Sequence, residues 1–197
     1  DVEARYAEIP AKEPGFTSHM LPAAQYCMMR TGWSPTDRAL LFDCAPWGGG
    51  HSHQDRLQVA LYAGRDLLLD PGIYSYDQPL SNTYFRKTEA HNVVSIDGRE
   101  QPQSDPEVLA WATTDGADFA CGKIASDGLS HQRSVLFVKP DFWVVVDHVA
   151  GEGEHDLTRL FHLPRVDLAT DIHTVATRYP DGENVWLCAP DADLAVR

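Results

Sequence analysis

Short apolar segments recur along the chain, each closed by a cluster of Gly, Pro, Asp or Asn. Several alternate with a period of two. In Gln58-Val59-Ala60-Leu61-Tyr62 and in Asn92-Val93-Val94-Ser95-Ile96, successive side chains of an extended backbone face opposite ways. Read as strands, the runs predict β-structure over residues 23–30, 39–44, 57–63, 66–69, 92–96, 108–113, 134–138, 142–149 and 158–163. The connections Ala63-Gly64-Arg65, Asp97-Gly98, Lys139-Pro140-Asp141 and Gly151-Glu152-Gly153 have the residues of hairpin turns. No stretch longer than about ten residues keeps a 3.6-residue period with a cap at each end. Many strands at short spacing predict an all-β sandwich or barrel. Trp111, Trp143 and Trp186 fall in strand-like segments and read as core, and Asn92 reads as serving the backbone where a strand starts. Residues 77–91 form the longest connection without strand character, and long loops on a rigid sheet are where sites are built.

With 197 residues, 43% of them apolar, the chain can build a substantial core, and residues 1–197 read as one domain. No apolar run approaches the roughly 18 residues of a membrane span. The opening Asp1 follows neither a Met nor a signal-like stretch, so the sequence reads as a piece of a longer protein. A net charge of -13 argues against nucleic acid, whose phosphates need clustered Lys and Arg. It also means that an anionic glycan would need a local basic cleft to overcome the repulsion. Cys27, Cys44, Cys121 and Cys188 are widely spaced, with no CxxC pair, and read as buried free thiols rather than disulfides.

Candidate chemistry gathers around Gly48-Gly49-Gly50-His51-Ser52-His53-Gln54-Asp55. If this run enters a strand, His51 and His53 share a face. Asp70 comes 17 residues after His53, and a hairpin through Gly64 would bring it back beside that histidine. His91 opens the next strand and could lie on the same edge. Two imidazoles and a carboxylate form a zinc-type donor set, whereas calcium wants more oxygens. The pair alone is a weak motif, because nine histidines in a chain this size give roughly 0.4 HxH pairs by chance. On spacing alone, polar residues bonded to backbone at strand ends remain an equal alternative.

Three blocks narrow the choice: Trp47-Gly48-Gly49-Gly50-His51-Ser52-His53-Gln54-Asp55 with Leu61-Tyr62-Ala63-Gly64, then Leu67-Leu68-Leu69-Asp70-Pro71-Gly72-Ile73-Tyr74-Ser75-Tyr76, then Tyr84-Phe85-Arg86-Lys87-Thr88-Glu89-Ala90-His91-Asn92-Val93-Val94. In this order the chain resembles the carboxy-terminal domain of the heparinase II/III-like polysaccharide lyases, relatives of the alginate and oligoalginate lyases. Arg30-Thr31-Gly32-Trp33 and the run from Phe137 to Asp147 add to the likeness, which spans roughly residues 23–165. The resemblance implies an antiparallel β-sandwich of the supersandwich type, joined in the complete protein to an amino-terminal α/α toroid that this chain lacks. It implies zinc held by His53, Asp70 and His91, and a catalytic place for His51. It also implies periplasmic or secreted location and an acidic polysaccharide or oligosaccharide substrate, heparin-like, alginate-like or exopolysaccharide.

Such lyases cleave uronate glycosides by β-elimination, in which a base takes the C5 proton and the C4–O bond breaks. Histidine suits the base, or the group that neutralises the uronate carboxylate, because its pKa lies near neutrality. Tyr76 takes the place of a loop tyrosine used by some relatives, with Tyr74 and Tyr84 as alternatives and a packed aromatic as the plainer reading. Arg86 and Lys87 are the nearest basic pair and are candidates to hold a sugar carboxylate or sulfate, or else form a solvated loop pair. Trp47 is a weaker candidate for stacking on a sugar. The rival functional readings are a non-catalytic glycan-binding or zinc-stabilised module, and a metal-dependent hydrolase or cupin-like enzyme using the same ligands.

Overall fold

A computed structural model describes residues 5, 9–10 and 12–196. Every strand pairing in it is antiparallel. One sheet runs β1 (His19–Leu21), β2 (Tyr26–Arg30), β3 (Arg38–Asp43), β4 (Val59–Ala63) and β5 (Asp66–Leu68) in chain order. The other main sheet is a meander of β7 (Glu107–Thr113), β8 (Ala117–Ser126), β9 (Leu129–Val138) and β10 (Phe142–Ala150). A short ladder joins β6 (Val94–Ile96) to β11 (Leu157–Arg159), and a small sheet holds β12 (Leu168–Thr170), β13 (Thr174–Thr177) and β14 (Trp186–Cys188). The architecture is an all-β sandwich, as expected.

The two main sheets bury one face each against the other. Cys27, Met29, Leu40, Phe42, Val59 and Leu61 meet Ala120, Ile124, Val135 and Phe137 in one apolar cluster. Fully burying side chains of this size contributes roughly 1.5–3 kcal/mol apiece. At Gly122 the sheets approach so closely that an added Cβ would lie 2.5 Å from Cys44 Sγ and 2.7 Å from Leu57 Cδ2. Glycine is therefore required there.

All nine expected strands are present, with bounds shifted by a few residues, and the structure adds β1, β8 and β12–β14. The ten residues of β8 place Asp118, Ala120 and Gly122 among their buried positions, which removes the hydrophobic alternation. Trp186 is a correction: it is 75% exposed on β14, because that strand packs through Leu187 instead. Trp111 and Trp143 do pack on the core. The cysteines are all free, with Cys27, Cys44 and Cys121 buried and Cys188 exposed. None of the described helices is long and apolar enough to cross a membrane.

A histidine–carboxylate cluster as candidate active site

Three connections converge beyond the ends of β3, β4 and β5. The first, between β3 and β4, makes a tight turn at Gly49–His51 that Gly49 enters with φ +72°. Arg86 braces it twice, donating from Nη1 to Gly50 O at 2.7 Å and accepting at its own carbonyl from Gln54 N–H at 3.0 Å. Gln101 closes the far side, accepting from Arg56 N–H at 2.7 Å and donating to Arg56 O at 2.9 Å. The second connection leaves β5 through Asp70, and the third brings His91 in after a turn at Thr88–Ala90.

Asn92 ties the three together. Its amide donates to the carbonyls of Val59 and Leu69, each at 2.8 Å, and its oxygen accepts from His162 N–H at 2.6 Å. Arg133 in turn donates to the carbonyls of Leu57 and Asn92, at 2.8 and 2.7 Å. This arginine is wholly buried and paired with Asp147, which also accepts from His131 at 2.7 Å. Burial alone would raise the Asp147 pKa, but the hydrogen bond from His131 and the Arg133 charge outweigh it and hold the carboxyl far below its usual range.

His91 is fully buried and donates from Nδ1 to Asp70 Oδ2 at 2.8 Å. Burial opposes ionisation of Asp70, yet bonds from His91 and the Gly72 N–H keep its pKa below the ordinary value. With Nδ1 so engaged, Nε2 of His91 is buried and has no protein partner. The His53 ring stands 5.3 Å from the His91 ring, centroid to centroid. Burial, then His91, lowers the His53 pKa, so this imidazole is neutral at pH 7 and able to ligate a metal. Among the described residues, one group brings three donors within 4.8 Å of one another: His53, Asp55 and His91. Asp70 adjoins His91 but stands outside that group. The orphaned nitrogen and the mixed imidazole–carboxylate set fit a zinc-type ion, with a carboxylate–histidine pair behind it.

His51 and His53 do not share a face. Residues 49–53 form a turn and loop rather than a strand, so His53 packs on His91 while His51 turns to Tyr76. The Tyr76 hydroxyl lies 3.5 Å from His51 Nδ1, and both side chains are exposed. Tyr74 is instead stacked on Phe85, with centroids 5.2 Å apart, and Tyr84 packs edge-on against the same ring. Lys87 pairs loosely with Glu100 at 3.7 Å.

Sequence reasoning assigned no role to Asp55, His162, Arg133 or Asp147. Asp55 carried no local signal, because the Gly48–Asp55 connection that brings it to His53 and His91 is not a strand. For Arg133 the signal lay in the alternation that sets this residue on one face with Val135 and Phe137, where a charge demands a buried partner.

The sandwich and its cluster define a class: an antiparallel β domain with a histidine–carboxylate site at one sheet end. The chain belongs to the Heparinase II/III-like, C-terminal family, whose model matches residues 13–197. It is 27% identical over 193 residues to a heparin-sulfate lyase of Pedobacter heparinus, a match covering 92% of this chain and 29% of that protein. A heparin-sulfate lyase of Bacteroides thetaiotaomicron is 25% identical over 194 residues, covering 88% and 27%. The crystal structure of heparan sulfate lyase HepC from Pedobacter heparinus superposes with a TM-score of 0.87 at 26% identity, over 96% of this chain and 31% of that one. The chain thus spans under a third of the length of these relatives.

Proposed function

We propose that this chain is the β-sandwich part of a polysaccharide lyase that cleaves a heparan-type, uronate-containing glycan by β-elimination. The observation that carries the reading is the His51–Tyr76 pair, open to solvent beside a buried histidine–carboxylate cluster. In the elimination the C5–H bond breaks, its electrons form the C4–C5 double bond, and the C4–O bond breaks as the leaving oxygen gains a proton. In this reading His51 takes the C5 proton and the Tyr76 hydroxyl serves the leaving oxygen. An amino-terminal α/α toroid in the complete protein would supply the groups that bind the uronate carboxylate. Zinc belongs to the same reading, with His53 and His91 as nitrogen donors and a carboxylate from Asp55 or Asp70. When bound, the ion would supply a fixed charge that holds the Gly48–Asp55 and Asp77–His91 loops in register. The names of the relatives support the substrate class.

The test uses the complete protein with heparan sulfate and follows the far-ultraviolet absorbance of the conjugated double bond. Turnover is expected, falling about 100-fold or more in His51→Ala. Absence of unsaturated product from heparan sulfate and from other uronate polymers would refute the reading.

A further inference from the structure

Among the described residues Trp186 is the most exposed of the large apolar side chains, and it lies outside the histidine–carboxylate cluster. Strand pairing shows what surrounds it. Ala169 on β12, Ala176 on β13 and Trp186 on β14 stand directly opposite one another, so their side chains share one face of the small sheet. Val175 and Leu187, one position away, point to the other face, where Val175 is buried and Leu187 packs on the core. The outer row therefore steps from two methyls to an indole, and β14, at the edge of the sheet, holds that indole as the wall of a groove. The groove has a volume of about 570 Å³, and its lining includes Ala169, Asp171, Thr174, Ala176, Arg178 and Trp186. Sites for small organic ligands span roughly 300–1,000 Å³ and set a few polar groups among apolar ones. A flat apolar ring beside such groups suits a pyranose, whose faces carry C–H bonds and whose rim carries hydroxyls.

Charge narrows the ligand further. Three arginines from elsewhere in the chain neutralise carboxylates of the segment that forms β12–β14 and its flanks: Arg38 pairs with Glu183 at 3.6 Å, Arg65 with Asp181 at 3.4 Å and Arg159 with Asp191 at 2.9 Å. Arg178 is exposed and, among the described residues, belongs to no ion pair. It follows Ala176 by two positions and so stands diagonally from Trp186, a spacing of about 7–8 Å that long and aromatic side chains bridge. Asp171 lies past Thr174 at the other end of the groove, with Oδ1 accepting from His173 N–H at 2.8 Å. Arg38 and Arg65 sit at the ends of β3 and β4 opposite to those that carry the cluster, so the Arg178 end of the groove is anchored away from it.

We infer that the outer face of the β12–β14 sheet is a second, non-catalytic glycan site, which stacks a uronate pyranose on Trp186 with its carboxylate toward Arg178. The inference rests on the lyase reading for its polymer and adds a contact apart from the His51–Tyr76 pair. A chain held at this face re-engages the catalytic pair after each cut, because the second contact raises the effective concentration of the first.

The test uses the complete protein carrying His51→Ala, which prevents turnover, labelled with fluorotryptophan. It is titrated with a desulfated, N-acetylated heparan tetrasaccharide, whose only charges are carboxylates. The Trp186 fluorine signal is the one lost in Trp186→Phe, and it is expected to shift saturably. Arg178→Ala, or reduction of the ligand's carboxyl groups, is expected to weaken that titration about fivefold. In calorimetry, Trp186→Ala is expected to lose one binding site per chain. Both side chains are exposed, so these variants should melt like the parent. A Trp186 signal that stays put with ligand in excess would overturn the site. Affinity untouched by both Arg178→Ala and carboxyl reduction would overturn the assigned ligand. Failure of the lyase reading shows separately, as missing unsaturated product with His51 intact, and leaves the fluorine shift standing.

Discussion

Asp147→Asn isolates the buried charge pair behind the site while keeping the side chain's shape. In the parent the carboxylate, only 8% exposed, takes Arg133 Nε at 2.7 Å, Arg133 Nη2 at 3.1 Å and His131 Nε2 at 2.7 Å. The carboxamide cannot accept all three and leaves the guanidinium buried without its counter-ion. Breaking one partner of such a pair costs about 3–5 kcal/mol. At a urea m-value of about 2 kcal/mol/M, the midpoint should fall by roughly 1.5–2.5 M at pH 7. The pH dependence gives a second, independent reading. The folded pKa of Asp147 is depressed, so its contribution is fully present above the unfolded value near 4 and is lost as pH falls toward the folded one. The gap between parent and variant should therefore hold steady from pH 7 to 5 and narrow by about 1 kcal/mol between pH 4 and 3. Arg133 also holds the carbonyls of Leu57 and Asn92, so the variant should bind zinc more weakly in a chelator competition. A midpoint shift below 0.5 M, or a gap unchanged down to pH 3, would refute the assignment of this pair as a structural anchor.

Asp43 titrates the opposite way: burial first, then the Asp55 charge, push its pKa up to about 6. Ionising it costs stability as pH rises from about 4 to 6, so Asp43→Asn in metal-stripped protein should gain up to about 3 kcal/mol at pH 7 and little at pH 4, by urea denaturation at both. Gly122→Ala should lose about 1–3 kcal/mol, because the new methyl meets Cys44 and Leu57 across the sheets; a neutral result by thermal melting would contradict the close approach. His91→Ala should remove zinc from protein purified without chelators, measured by elemental analysis. Of Asp55→Asn and Asp70→Asn, the one that empties the site is the ligand, and the other should weaken binding about 10–100-fold; zinc retained in both would leave no carboxylate in the site.

What the sequence made legible, and what it hid, follows from how local each signal is. Strands such as β4 announce themselves because their inward residues, Val59, Leu61 and Ala63, are all apolar. β8 does not, because its inward side accommodates a buried carboxylate, small residues and a glycine imposed by the opposite sheet. The same distinction runs through the site. That His91 and Asp70 meet was foreseeable from two strand ends, and they do meet at 2.8 Å. That Asp55 joins His53 and His91 depends on how the Gly48–Asp55 connection curls, which is set by braces from Arg86 and Gln101, residues 30 or more positions away. The separation of His51 from His53 has the same origin: a turn rather than a strand sends neighbouring histidines to different partners, one to the buried cluster and one to exposed Tyr76. Loop curvature fixed at a distance thus decides which imidazole faces solvent. For that reason the anchors at Arg133, Asn92 and Gln101 set the shape of the site through its backbone.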